Sequence, residues 1–141
     1  MAAPTPSVRT DWNGYRGMTR YYIAWTAGNP DELADASVVD ISALSPAPTS
    51  IKIRRIQAIL NGNVQLDFEF DAATDQLIDT FIGQSDVSFD FCRDYSDNPN
   101  GGFVSSNTAA ASFTGDLLLT TTGAANGDEL MLLIVFEKSS G

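Results

Sequence analysis

The chain has no histidine. That removes Ser-His-Asp and Cys-His catalytic pairs and any imidazole metal site. It has a single cysteine, Cys92, so no disulfide can close within it and stability has to come from packing or assembly. Placed after Phe89 and Phe91, Cys92 is expected as a small core or interface residue. With no histidine to activate it, it is not expected as a nucleophile. Cations are scarce: 8 Lys and Arg stand against 18 Asp and Glu, a net charge of −10. Nucleic acid and anionic membranes, which need clustered Lys and Arg, are therefore poor partners. No apolar run approaches the roughly 20 residues of a membrane-spanning helix. The N-terminus has no charged-then-apolar pattern, so neither a signal peptide nor an anchor is expected. No glycine-rich phosphate loop precedes a helix. With 43% hydrophobic and 18% charged residues over 141 positions, the composition is that of one globular domain with room for a core.

What is present is strand. Val64, Leu66, Phe68 and Phe70 alternate with Gln65, Asp67 and Glu69, the period of a half-buried strand. Ile56, Ala58 and Leu60 form one face of the strand before it. Asn61-Gly62-Asn63 joins the two, which predicts a long hairpin with a three-residue loop pairing Leu60 with Val64, Ala58 with Leu66 and Ile56 with Phe68. Ile51 and Ile53 lie on the opposite parity, and a β-bulge at Arg54-Arg55 would restore a single apolar face. A second hairpin is expected over Ser112–Thr122 and Glu129–Lys138. Leu130–Phe136 is apolar at both parities and predicts a strand buried on both faces. Further strands are expected over Met18–Thr26, Ser37–Ile41, Leu77–Ile82 and around Val87–Phe91, with one helical turn over Asp31–Ala36. Seven or eight short strands with regular turns predict an all-β, single-domain antiparallel β-sandwich, jelly-roll-like, over residues 18–141.

Residues 1–17 have no apolar periodicity and predict an extended N-terminal arm. The arm holds Arg9, Trp12, Tyr15 and Arg16, the residue types that dominate interface energetics. Two readings stand: the aromatics pack on their own domain, or they serve a partner. The long polar stretch Arg93–Ala111 adds Tyr95 and Phe103 as candidate interface residues, because a loop of that length is usually functional or ordered by a partner. Charge is split along the chain. Residues 1–55 carry six cations against five acids, net +1, and residues 56–141 carry two against thirteen, net −11. Solubility accounts for this split, as does a docking N-terminal part with an acidic part facing solvent.

Two other chemistries have partial signals. Asp67, Glu69, Asp71 and Asp75 cluster in sequence, but Asp67 and Glu69 fall on the solvent parity of a strand, which suits solvation better than acid–base catalysis. The loop Asp94–Gly101 spaces oxygen ligands before a glycine, yet Ser96 and Asn98 stand where carboxylates would, Pro99 interrupts, and no glutamate closes it. No catalytic residue, cofactor or metal is expected, and the chain is not expected to be an enzyme.

The segments IKIRRIQAILNGNVQLDFEFDAATDQLI, VSFDF and FTGDLLLTTTGAANGDELMLLIVFEK, and most specifically Thr114–Gly123, resemble the small β-rich decoration (cement) proteins of tailed-bacteriophage capsids. The likeness spans roughly residues 37–138; the N-terminal part does not match. It implies a virion structural protein, commonly trimeric, that sits on the outer face of the head after synthesis in the host cytoplasm and clamps major capsid protein subunits together. Leu117, Leu118 and Leu119 in a row fit assembly, since they leave an apolar side chain off the main core face. Two alternatives stay open. One is a calcium-dependent carbohydrate-binding β-sandwich module using Tyr21, Trp25 and the Arg93–Ala111 loop. The other is a further virion component such as a tail or fibre protein.

Overall fold

A computed structural model of the protein describes residues 2–83, 88–94, 103–104 and 114–138. Within them lie ten strands: β1 Ser7–Trp12, β2 Arg16–Ala24, β3 Ala36–Val39, β4 Ile51–Asn61, β5 Gln65–Phe70, β6 Gln76–Ile82, β7 Ser88–Asp94, β8 Phe103–Val104, β9 Leu117–Thr122 and β10 Glu129–Lys138. They form two antiparallel sheets. The large sheet runs β1-β2-β10-β4-β7 with β8 also on β4, and the small sheet runs β3-β9-β5-β6. The inward-facing residues of the two sheets make one core. Ile23, Ile56, Leu60, Leu130, Ile134 and Phe136 come from the large sheet, and Leu66, Phe68, Leu117 and Leu119 from the small one, all with no exposed surface. Each such side chain stabilises the fold by about 1.5–3 kcal/mol, so a β-sandwich of this size holds without a disulfide.

The bulge expected at Arg54-Arg55 is where the ladder shifts: Val135 pairs with Arg55 and Phe136 with Ile53. Ile51, Ile53 and Ile56 are in consequence all fully buried on one face. The expected hairpins are corrected. β4 pairs with β10 and β7, whereas β5 pairs with β6 and β9, so the chain crosses from one sheet to the other at Asn61–Val64. β9 and β10 likewise lie in different sheets. Two strands facing each other across a sandwich bury the same alternating residues as a hairpin over a core. Burial parity therefore fixes each strand's inward face and leaves its ladder partner open. Gly62, at φ +126°, turns the chain at the crossing, where a side chain would run into the Asp128 carboxylate.

Three other expectations change. Residues 31–35 form no helical turn, and the short helical piece is a 3-10 turn at Ile41–Ala43, where Asp40 accepts the Ser42 N–H. β10 alternates instead of being buried on both faces: Leu130, Leu132, Ile134 and Phe136 face the core while Met131 is 51% exposed. Cys92 is exposed on the outside of the large sheet, opposite Gln57. The run Leu117–Leu119 does put Leu118 off the core face, paired with Glu69 on the outer side, though it is still largely covered.

The segment expected as an arm belongs to the sheet. β1 pairs with β2 over six residues, from Ser7 with Tyr22 to Trp12 with Gly17. Trp12 stacks on Phe136 with ring centroids 5.7 Å apart, and its indole N–H donates to the Pro46 carbonyl at 3.0 Å. Gly17 leaves the space for that stack, since a Cβ there would overlap the Phe136 ring. Polar residues dominate β1 because it is an edge strand, and a short edge strand has little apolar signal to read.

Candidate docking face

The outer face of the large sheet is built in rows, because antiparallel register aligns every second residue of neighbouring strands. One row reads Ser7, Tyr22, Met131, Ile59, Asp90. The next reads Arg9, Arg20, Leu133, Gln57, Cys92, and the third Asp11, Met18, Val135, Arg55, Asp94. Tyr22 (40% exposed), Met131 (51%) and Ile59 (39%) are thus adjacent, a contiguous apolar strip in place of scattered surface residues. With Leu133, Arg9 and Arg20 they line a shallow depression of about 350 Å³.

Cations gather on this side. Arg9 faces Arg20 directly across β1 and β2, a like-charge juxtaposition that costs stability unless something else is gained. Arg9 reaches Asp11 at 3.6 Å, an exposed pair worth little. At the far end Glu137, its side chain only 5% exposed, is held by Lys52 at 3.0 Å, Arg16 at 3.3 Å and Arg54 at 3.7 Å. Arg55, in the third row, has a buried Nε without a hydrogen-bond partner. Six of the eight cations of the chain, Arg9, Arg16, Arg20, Lys52, Arg54 and Arg55, therefore belong to one face.

The small sheet's outer face is its opposite in charge. Asp67 and Glu69 project from β5, as their solvent parity requires. Asp35, in the left-handed conformation at φ +49°, exchanges hydrogen bonds with Thr120 from the neighbouring row. One carboxylate oxygen each from Asp35, Glu69 and Asp75 lie within 4.8 Å of one another. Partial burial first, then the neighbouring Asp75, Asp35 and Asp67, raise the Glu69 carboxyl above its ordinary value. Three exposed or half-exposed oxygens are short of the six to eight that calcium takes.

The candidate residues read from the sequence divide. Arg9 and Arg16 are on the outer face of the large sheet, Arg9 beside Arg20 and Arg16 on Glu137. Tyr15 is 52% exposed in the β1–β2 turn, where the Asn13 side chain accepts its backbone N–H and that of Arg16. Trp12 is committed to its own domain. Phe103 lies in β8, paired with Ile53 of β4. Tyr95 falls outside the described residues, as does the Asp94–Gly101 loop apart from Asp94 itself. Tyr22, Ile59, Met131 and Arg20 were not singled out. The available signal was the second parity of β10, apolar where a solvent-facing strand would be polar.

The sugar platform is corrected. Tyr21 and Trp25 are 2% and 1% exposed, inside the core. Burial pushes the Tyr21 hydroxyl up to about 12, and the Trp25 indole donates to the Asp31 carbonyl. Neither ring presents a face to a ligand.

No family model and no curated protein matches the chain. Among solved structures it is similar to a chain of Bacillus endospore appendages, described as a novel family of disulfide-linked pili. The identity is 12% over 99% of this chain and 96% of that one, with a TM-score of 0.35. It is also similar to the apo BiXyn10A CBM1 chain, at 10% identity over 99% and 100%, with a TM-score of 0.37. Likenesses this distant carry no argument about function.

Proposed function

We propose that the protein is a virion structural protein of the capsid-decoration type, which binds the outer face of a phage head and stabilises contacts between major capsid subunits. The observation that supports this reading is the apolar row Tyr22-Met131-Ile59 bordered by Arg9 and Arg20, on a chain whose net charge is −10. Aromatic, Met and Arg side chains on an otherwise acidic body are the composition of a protein-docking patch. The charge contrast orients the encounter, large sheet inward and small sheet outward. Many copies on one shell would add avidity to a modest single-site affinity. On this reading the chain binds and does not catalyse, needs no cofactor, and works as a homo-oligomer, a trimer by the family resemblance, on the capsid exterior.

The test is binding to heads that lack the protein. Wild type is expected to co-sediment with such heads and raise their resistance to heat. Met131→Asp with Tyr22→Ala is expected to lose binding while keeping its β-sheet spectrum. Wild type that leaves heads bare would sink the decoration reading.

A further inference from the structure

We propose that the outer face of the large sheet takes the outer face of the small sheet of a second copy of this chain, so that copies stack face to back. The two faces match in apolar character. Among the described residues, Tyr22, Ile59 and Met131 are exposed large hydrophobics of the large sheet, while Leu77 (61% exposed) and Ile82 (63%) stand out from the small one. They match in charge, with Arg9 and Arg20 on one side and Asp67 and Glu69 on the other. Each face carries strain of like charge that the other relieves. Arg9 and Arg20 oppose each other across β1 and β2. Partial burial, then the neighbouring Asp75, Asp35 and Asp67, raise the Glu69 carboxyl above its ordinary value.

The smaller sheet sets the area: its four strands, the longest of 7 residues, about 4.8 Å apart and at about 3.3 Å per residue, span roughly 20 by 20 Å. A contact of about 400 Å² per copy is below the usual size of a specific interface and implies association in the range of tens of micromolar or weaker. Because the two faces are on opposite sides of one sandwich, the contact is heterologous. It propagates as an open chain and does not close on itself. A trimer on a shell would use other contacts. The inference goes beyond the decoration reading and uses the same large-sheet face, so a copy stacked on another cannot dock a capsid by that face at the same time; its test needs no capsid and is read separately.

Sedimentation velocity of the purified chain from about 1 to 200 µM covers the expected range. Wild type is expected to grow past dimer as concentration rises. Arg9→Glu/Arg20→Glu blocks the large-sheet face and Leu77→Lys/Ile82→Lys blocks the small-sheet face. Each alone should weaken association at least about tenfold. Mixed in equal amounts, the two variants should form a one-to-one dimer that grows no further, because each still offers the face the other needs. Wild type that stays monomeric throughout overturns the proposal. So does a small-sheet variant that pairs with itself, which would mean large-sheet faces meet each other, and so does a mixture that stays monomeric. Should either double variant fail to fold, Met131→Glu and the single Ile82→Lys block the same faces at positions that are 51% and 63% exposed.

Discussion

Trp12→Ala separates a sheet strand from a free arm. The ring is half-buried, stacked on Phe136 and hydrogen-bonded to the Pro46 carbonyl. Truncating a fully buried Trp costs about 3–5 kcal/mol. Partial exposure roughly halves this, so about 2 kcal/mol is expected, including an aromatic-pair contribution of about 0.5–1.5 kcal/mol. For a chain of this length each kcal/mol moves the melting temperature by about 4 °C, which gives a fall of about 8 °C. Trp12→Phe keeps the ring on Phe136 and loses only the indole donor, so its fall should be less than half as large. Thermal unfolding followed by far-ultraviolet circular dichroism reads both. Trp25, the other tryptophan and a buried one, reports through its emission whether the core is intact before heating. A melting temperature for Trp12→Ala within about 1 °C of wild type would refute the packing argument and return residues 1–17 to the status of an arm.

Gly17→Ala drives a methyl group into the Phe136 ring under Trp12. It should cost about 1–3 kcal/mol, visible as a lower urea midpoint with an unchanged slope. Glu137→Ala strips Lys52 and Arg54 of their shared carboxylate in a poorly hydrated setting. A loss of about 2–3 kcal/mol is expected, and chemical denaturation that finds less than about 0.5 kcal/mol would mark the cluster as surface decoration. Removal of residues 1–17 deletes β1 and the start of β2 and should abolish cooperative melting. Glu69→Gln tests the acidic face. A carboxyl raised in the folded state binds its proton more tightly there than in the unfolded chain. Its stabilising contribution is therefore full below the ordinary carboxylate range and is lost as pH rises through the raised value. The variant should melt higher than wild type near about pH 7 and equal to it below about pH 4.

Inward faces were legible in the sequence and partners were not. Alternation in 64–70 and 56–60 placed Val64, Leu66, Phe68, Ile56, Ala58 and Leu60 in the core, where all are fully buried. The same alternation could not say whether β4 and β5 share a ladder, because a sandwich and a hairpin bury the same side chains. β1 was illegible for a related reason. An edge strand over a sandwich rim needs few apolar residues, and its one anchor, Trp12, packs through a gap left by Gly17, a long-range fit that composition does not record. On the candidate face, Arg9 and Arg16 could be picked out by residue type. The Tyr22-Met131-Ile59 row joins residues from three strands far apart in sequence and exists only once register is fixed.

The charge split along the chain has a cause in topology. β1, β2 and the first half of β4 carry all six N-terminal cations, and all three strands belong to the large sheet. β5 and β6, together with β9 and the loop after Phe70, supply most of the small sheet and hold Asp67, Glu69 and Asp75. The linear asymmetry thereby becomes in part a difference between two opposite faces, since the six cations share the large sheet with Asp90, Asp94, Glu129 and Glu137 while Asp67 and Glu69 face out from the small one. Glu137 shows that the cationic face is arranged and not merely left over. β10, from the acidic part of the chain, threads between β2 and β4 and brings one carboxylate to the point where Arg16, Lys52 and Arg54 converge. That neutralises one end of the face. Arg9 and Arg20 remain at the other, next to the apolar row, where only the exposed Asp11 offsets them among the described residues. Charge concentrated beside an exposed apolar strip, and compensated elsewhere on the same sheet, is the feature of the Arg9–Arg20 end on which the proposed docking to a second protein surface rests.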